Sequence, residues 1–548
     1  MTQDWTRRGV LGASLAVSAL PMIARAQAVP LSTLPVAPFI VAETTAGKVR
    51  GGTARGALSF KGIPYGGSVS GANRFKAAPP VEPWTGVRDA THLGAPAPQT
   101  PHSTYGEQEP DWAEDCLYLN VWTPALDGKK RPVMVYMHGG GYSTGSAGSP
   151  TQDGGRMAAA HDVVVVAPNH RLGLLGFLYL GEALGPEYAP EYANASMHDM
   201  IMALRWVRDN IAGFGGDPGN VTIFGESGGG AKVGTLMGMP EAKGLFHKAG
   251  IQSGAQLKRM PKDAAIETTR RLMKSLNLSD PRKLSDVPVQ TLLDLQWQGE
   301  RDQGPLSGPA GPKVFESFAE STLAGHFGPV IDGISLPIDP FDPVVTGLCA
   351  DIPLLIANNK EEAAFFVMGQ PGVFDMSQAE LEGRLRHDYG PKADALLKTY
   401  HQLRPGATPG DLYIAILTAA TMGNETAVLA ARKSAQSAPV YRYRWDYASN
   451  RPIVGTKHTL GSGHATDIGP TFDNWDEAGL HGNGPGVREA SAHLSAFWAS
   501  FARTGVPSAP GAPVWPRYDT QRRPVMLVDT ACTVADDPDG AARAVWES

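Results

Sequence analysis

The stretch "VTIFGESGGGAKVG", Val221 to Gly234, decides how the rest of the chain is read. Val221 to Phe224 form an apolar, β-branched run that reads as a buried strand, and it meets Gly225. Glu226, Ser227 and three further glycines follow, and then Ala231 to Met237, which fits a helix. A phosphate loop would need Gly-x-x-x-x-Gly-Lys-Ser/Thr. Counting from Gly225, Ala231 stands where the lysine belongs, and Lys232 is followed by Val233. Gly225-Glu226-Ser227-Gly228-Gly229 instead satisfies G-x-S-x-G directly after a strand. A strand-to-helix turn this sharp strains the serine backbone, and side chains two residues to either side would collide. The serine hydroxyl is then exposed beside a helix N-terminus that favours negative charge.

Outward from this turn, similar apolar runs recur at Val133 to Met137, Val163 to Ala167, Pro353 to Ile356 and Pro524 to Val528. Near-continuous runs suit strands covered on both faces, as in a mostly parallel sheet. Between them, Met197, Ile201, Leu204, Val207 and Ile211 recur at helical spacing, as do Ala490, Leu494, Phe497 and Phe501 before Gly505. Strand–helix alternation predicts an α/β fold with helices on both faces of a large, mostly parallel sheet. Residues 257–326 and 371–437 read as helical, loop-rich insertions near the working edge of that sheet, without a clear buried strand.

The 548 residues, 42% hydrophobic and with a net charge of −6, allow a large core. No basic run offers a nucleic-acid footprint, and no linker divides the chain. At the N-terminus, paired Arg7 and Arg8 precede a modest apolar run and Ala26-Gln27-Ala28. The run is shorter than the roughly 20 residues of a membrane span. Thr6 to Leu11 resembles a twin-arginine export signal, with an ordinary secretory signal as the alternative. Either implies cleavage after Ala28, a mature single domain over 29–548, and a periplasmic or secreted protein. No later run is read as long and apolar enough to hold the chain in a membrane, and the oligomeric state is left open. Cys116, Cys349 and Cys532, odd in number and widely spaced, are expected to be buried thiols. No His-Glu-x-x-His or Cys/His cluster occurs, so neither metal nor cofactor is expected.

The segment "VMVYMHGGGYSTG" adds a second motif: His138-Gly139-Gly140-Gly141 follows a strand, in the form of an oxyanion-hole loop. His138 reads as orienting that loop; His170 and His198 read as packing residues, while His161, His247 and His481 carry no signal. With "FKGIPYG", "EDCLYLNVWTP", "NHRLGLLGFL" and "FWASFARTGVP", the chain resembles the type-B carboxylesterases of the α/β-hydrolase fold, the cholinesterase and para-nitrobenzyl esterase group. The resemblance implies a serine hydrolase that cleaves a small-molecule ester through an acyl-enzyme. It implies Ser227 as nucleophile, His464 as base and Glu362 as acid, with the amides of Gly140, Gly141 and Gly228 as oxyanion donors and Glu226 and Ser253 in support. Ala363 and Ala465 stand where the family usually has glycine, and Gly228 where it usually has alanine. Ala97 replaces a cysteine that often pairs with the equivalent of Cys116, so Cys116 should be unpaired. Adjacent Glu361, and Asp332 and Asp467, are rivals for the acid. An amidase, lactonase or thioesterase with the same triad, or a non-catalytic binding protein on this scaffold, are the alternative functions.

Overall fold

In the computed structural model, which describes residues 40–99, 111–189, 191–302 and 327–548, the apolar runs become neighbours in one sheet. The first strands are β1 (Ile40–Thr44), β2 (Gly47–Ala54), β3 (Ala57–Pro64), β4 (Val87–Asp89) and β5 (Tyr118–Thr123). Next come β6 (Arg131–Met137), β7 (Val164–Pro168), β8 (Gly216–Glu226), β9 (Lys248–Gln252), β10 (Met260–Pro261) and β11 (Val330–Ile331). The last are β12 (Leu354–Asn359), β13 (Val440–Trp445), β14 (Ser449–Pro452), β15 (Thr459–Gly461), β16 (Pro524–Val528) and β17 (Thr533–Asp536).

The large sheet runs β1-β2-β3-β5-β7-β6-β8-β9-β12-β13-β16-β17, with β4 beside β2. From β7 to β16 every neighbour is parallel. The margins, β1 to β5 against β7 and β16 against β17, are antiparallel apart from β4. Period-two alternation divides each central strand between two cores. Val133, Val135 and Met137 join one core with Met197, Ile201 and Leu204. Met134 and Tyr136 join the other with Leu494, Phe497 and Trp498. Each fully buried side chain of this size stabilises by about 1.5–3 kcal/mol. Helices Ala195–Asn210 and Val487–Thr504 cover the two faces. Gly505, at φ 78°, closes the second in a left-handed cap.

Beyond the central strands the chain forms the helices Lys262–Ser275, Val289–Asp302, Gln378–Tyr389, Ala393–Leu403, Pro409–Thr418 and Asn424–Ser434. They occupy the expected insertions, of which residues 303–326 lie outside the described residues. The only strand among the described residues there is the two-residue β10, paired with β11. One expectation needs correcting. The run Pro409–Ser434 is long and apolar enough to span a membrane by length and composition. Its Leu412, Ile414, Ile416, Leu417 and Leu429 are buried inside the protein, and a π-helical turn at Ala419–Gly423 interrupts it, so it is a core helix. Cys116 and Cys349 are buried free thiols, but Cys532, beside the marginal strand β17, is only half-buried. The export segment 1–28 lies outside the described residues.

Candidate active site

Strand β8 delivers Ser227 to the sheet's C-terminal edge. Its last pairs are Gly225 with Met137 on β6 and Glu226 with Gln252 on β9. Ser227 has φ 56° and ψ −126°, a conformation costing about 1–3 kcal/mol in a non-glycine residue. The surroundings hold it there: its N–H donates to Gln252 O at 2.8 Å and its carbonyl accepts from Ala231 N at 3.0 Å. A Cβ on Gly225 would lie 2.5 Å from Met137 O, and one on Gly229 would overlap that same oxygen. The elbow is therefore backbone packed on backbone.

The glycine loop after β6 meets this elbow. Gly140 and Gly141 have φ of 84° and 60°, and Gly140 O accepts from Thr144 N at 3.1 Å. A Cβ on Gly228 would overlap the carbonyl of Gly141, so this loop lies where the alanine usual in the family has no room. Among the described residues, the N–H groups of Gly140, Gly141 and Gly228 donate to nothing. They are free to stabilise a developing oxyanion. Beneath the loop, Lys232 Nζ donates to His138 O at 3.0 Å, and burial lowers its pKa to about 7. The His138 ring is stacked on His170 at 4.4 Å, and burial lowers its pKa to about 3. Both histidines stay neutral packing groups.

Opposite the elbow, the loop after β15 carries His464. Its Nδ1 is 2.7 Å from Glu362 Oε2. The other carboxylate oxygen accepts from Ser253 Oγ and from Asn359 N, each at 2.6 Å. Phe366 lies 4.8 Å from the imidazole, and both partners of the His–Glu pair are buried. His464 Nε2 lies 3.3 Å from Glu226 Oε1, whereas Ser227 Oγ makes no hydrogen bond among the described residues. Burial opposes the imidazolium, but Glu226 and Glu362 together outweigh it and raise the His464 pKa. Burial likewise raises the pKa of Glu226, against the attraction of His464. Ala465 holds φ 63°, a left-handed conformation that explains why glycine is the usual residue after this histidine.

The rivals for the acid point elsewhere. Glu361 faces Arg404 at 3.4 Å and accepts from Ser462 N at 3.1 Å. Asp332 caps its own turn through Ile334 N, Ser335 Oγ and Leu336 N. Asp467 is held by Gln252 Nε2 at 2.7 Å, and burial raises its pKa to about 6. Glu361 and Glu362 point apart because the chain turns between them. Glu362, with φ −39° and ψ −47°, starts the helix Ala363–Val367, and that turn separates them. Asn359, whose Nδ2 also donates to Gly463 O at 2.8 Å, ties the acid's strand to the histidine's loop. Sequence reading missed this residue, although it stands in "NNKEEAAFF" three places before the acid.

Ser227, Gly228, Ser253, Gln256, Met422 and Glu425 line a narrow cavity of about 30 Å³. Among the described residues no group of His, Cys, Asp and Glu could hold a metal ion. A strained serine, a buried imidazole–carboxylate pair and three free amides can carry out nucleophilic acyl transfer.

A sequence profile described as the Carboxylesterase family matches residues 38–546. The chain is 34% identical over 513 residues to the para-nitrobenzyl esterase of Bacillus subtilis (strain 168), covering 92% of this chain and 97% of that one. It is 32% identical over 514 residues to a phenmedipham hydrolase of Pseudarthrobacter oxydans, covering 91% and 97%. A Geobacillus stearothermophilus carboxylesterase structure superposes with a TM-score of 0.76 at 36% identity, covering 92% of this chain and 99% of that one.

Proposed function

From the premise that the chain belongs to the carboxylesterase family, with its α/β-hydrolase fold and ester-hydrolase activity, we propose which residues do the chemistry. Ser227 Oγ attacks the ester carbonyl carbon, and His464 Nε2 takes its proton, turning from Glu226 towards the serine. Catalytic hydrogen bonds often tighten this way only once substrate is bound. Glu362 holds the imidazole through Nδ1 and stabilises its charged form, while Gly140, Gly141 and Gly228 receive the oxyanion. The alcohol leaves with the proton from His464. Water then repeats the sequence on the acyl-enzyme and releases the acid.

The observation that carries this reading is the buried 2.7 Å contact between His464 Nδ1 and Glu362 Oε2. Diethyl para-nitrophenyl phosphate should label Ser227, located by peptide mapping, and Ser227→Ala should lose about 10⁶-fold in kcat. A label elsewhere together with an active Ser227→Ala protein overturns the assignment. We further propose that the protein is exported by its twin-arginine segment and that the mature chain starts at Val29. Arg7→Lys with Arg8→Lys should leave precursor in the cytoplasm; normal export of that variant would favour the general secretory route.

A further inference from the structure

A second cavity, of about 630 Å³, opens beside Glu361, one residue before the proposed acid. Its floor is the C-terminal end of two parallel strands: Asn358, Lys360, Arg442 and Arg444 on or after β12 and β13. Its walls include Leu403, Ala407, Ala415 and Ala427. A lining that mixes charged groups of both signs, among them Glu361, Asp411, Asp537 and Asp539, with small apolar side chains is amphiphilic.

The cations around it are unequally matched. Arg444 grips Asp446 at 2.6 and 2.9 Å and reaches Asp539 at 3.2 Å. Arg543 holds Asp537 at 2.6 Å and Glu547 at 2.8 Å, and Arg404 reaches Glu361 at 3.4 Å. Arg442 is the exception. It is 3% exposed, its Nε has no partner among the described residues, and its Nη2 makes only a 3.4 Å contact to Asn358 Oδ1. The nearest carboxylate oxygen paired with it, Asp539 Oδ2, is 3.8 Å away, and the other oxygen of that carboxylate, Oδ1, serves Arg444 at 3.2 Å. Lys360 forms no ion pair among the described residues. A buried guanidinium is stable when a planar anion meets its donors in pairs.

We propose that this cavity binds a small organic carboxylate, with the carboxylate on Arg442 and a short hydrocarbon chain along the alanine walls. Ester cleavage releases acids of this class, so the enzyme's own products have the chemistry the cavity fits. The apolar walls favour a carboxylate with a tail over inorganic phosphate, which would leave them wet.

The test is titration calorimetry on the full mature chain with Ser227 blocked by the organophosphate, so that the catalytic cavity is closed. Hexanoate, hexanamide and inorganic phosphate are the probes. Hexanoate should bind saturably, hexanamide should not, and Arg442→Gln should weaken hexanoate at least tenfold. Lys360→Gln, at the floor, should weaken it severalfold. Ala407→Leu, which narrows the cavity at its apolar wall and leaves its charges, should weaken it severalfold, so the proposal stays testable even if Arg442→Gln misfolds. Equal binding of hexanoate and hexanamide, unchanged affinity in Lys360→Gln and Ala407→Leu, or phosphate binding in preference to hexanoate would each overturn it.

Discussion

Between Gly225 and Gly229 the chain packs backbone against backbone, whereas between Thr421 and Glu425 it lines the same narrow cavity with side chains. At the elbow a single added methyl group meets a carbonyl oxygen, so residue identity is dictated by contact distances. The cover is under no such constraint. Its π-helical turn brings Thr421 and Met422 to the cavity that Ser227 lines, and the helix Asn424–Ser434 continues from it with Glu425. In the proposed mechanism the elbow and its partners carry the reaction, and the cover lines the cavity beside them.

The largest test of this division concerns adjacent residues. Glu362→Gln keeps the shape of the acid but removes the charge that supports the imidazolium, and it should cost at least roughly a hundredfold in kcat. Glu361→Gln, which loses a partly exposed contact to Arg404, should stay within about threefold. The reverse order in measured kcat would move the acid to Glu361. Full activity in both variants would return the role to Asp467 or Asp332.

A smaller effect is expected from Gly228→Ala, the substitution that restores the residue usual in the family. Its methyl group would press on the carbonyl of Gly141 and push the oxyanion loop away. Losing one oxyanion donor altogether costs about 10²–10³ in kcat, so a displaced donor should cost about tenfold, with KM little changed. An unchanged kcat would show that the loop yields easily, and the contrast between tight elbow and permissive cover would fail.

The same contrast explains what could be read from the chain. Ser227, its glycines and the runs Val133 to Met137 and Pro524 to Val528 follow from local geometry, and the structure contains a strand at each run. Val163 to Ala167 is offset by one residue from β7. Strands β9 and β13 are not legible in the sequence, for separate reasons. In β13, Val440–Trp445, arginines alternate with aromatics, and the buried Arg442 breaks the apolar run by which the other strands are read. In β9 the middle residue is Gly250, where a side chain would collide with Trp498 from a helix over two hundred residues away. The Asn359, Gln252 and Asp467 bonds behind the triad join strand ends distant in sequence, so no local pattern announces them.

The smallest expected effect lies in the cover itself. Glu425 is half-buried in the cavity wall, and burial raises its pKa from 4.5 to about 7, although Arg259 pulls it down. Asp342 also raises it, and Lys258 and the Leu257 N–H oppose that. The folded state thus binds a proton more tightly than the unfolded chain. The stability that proton supports is complete below about pH 4.5 and is lost as pH rises through 7. A shift of one unit is worth about 1.4 kcal/mol, and water reaching part of this side chain reduces the full value to about 1 kcal/mol. Gln carries no charge at any pH, so Glu425→Gln should match the wild type at pH 5 and exceed it at pH 8. For a chain of this size that is a Tm gain of about 1–2 °C, read by calorimetry. Because Glu425 touches neither Ser227 nor His464 in the proposed mechanism, kcat on a neutral ester should stay within about threefold. A Tm difference equal at both pH values would mean that shape, not charge, governs the site. A hundredfold loss of kcat would place Glu425 in the catalytic machinery and erase the line between elbow and cover.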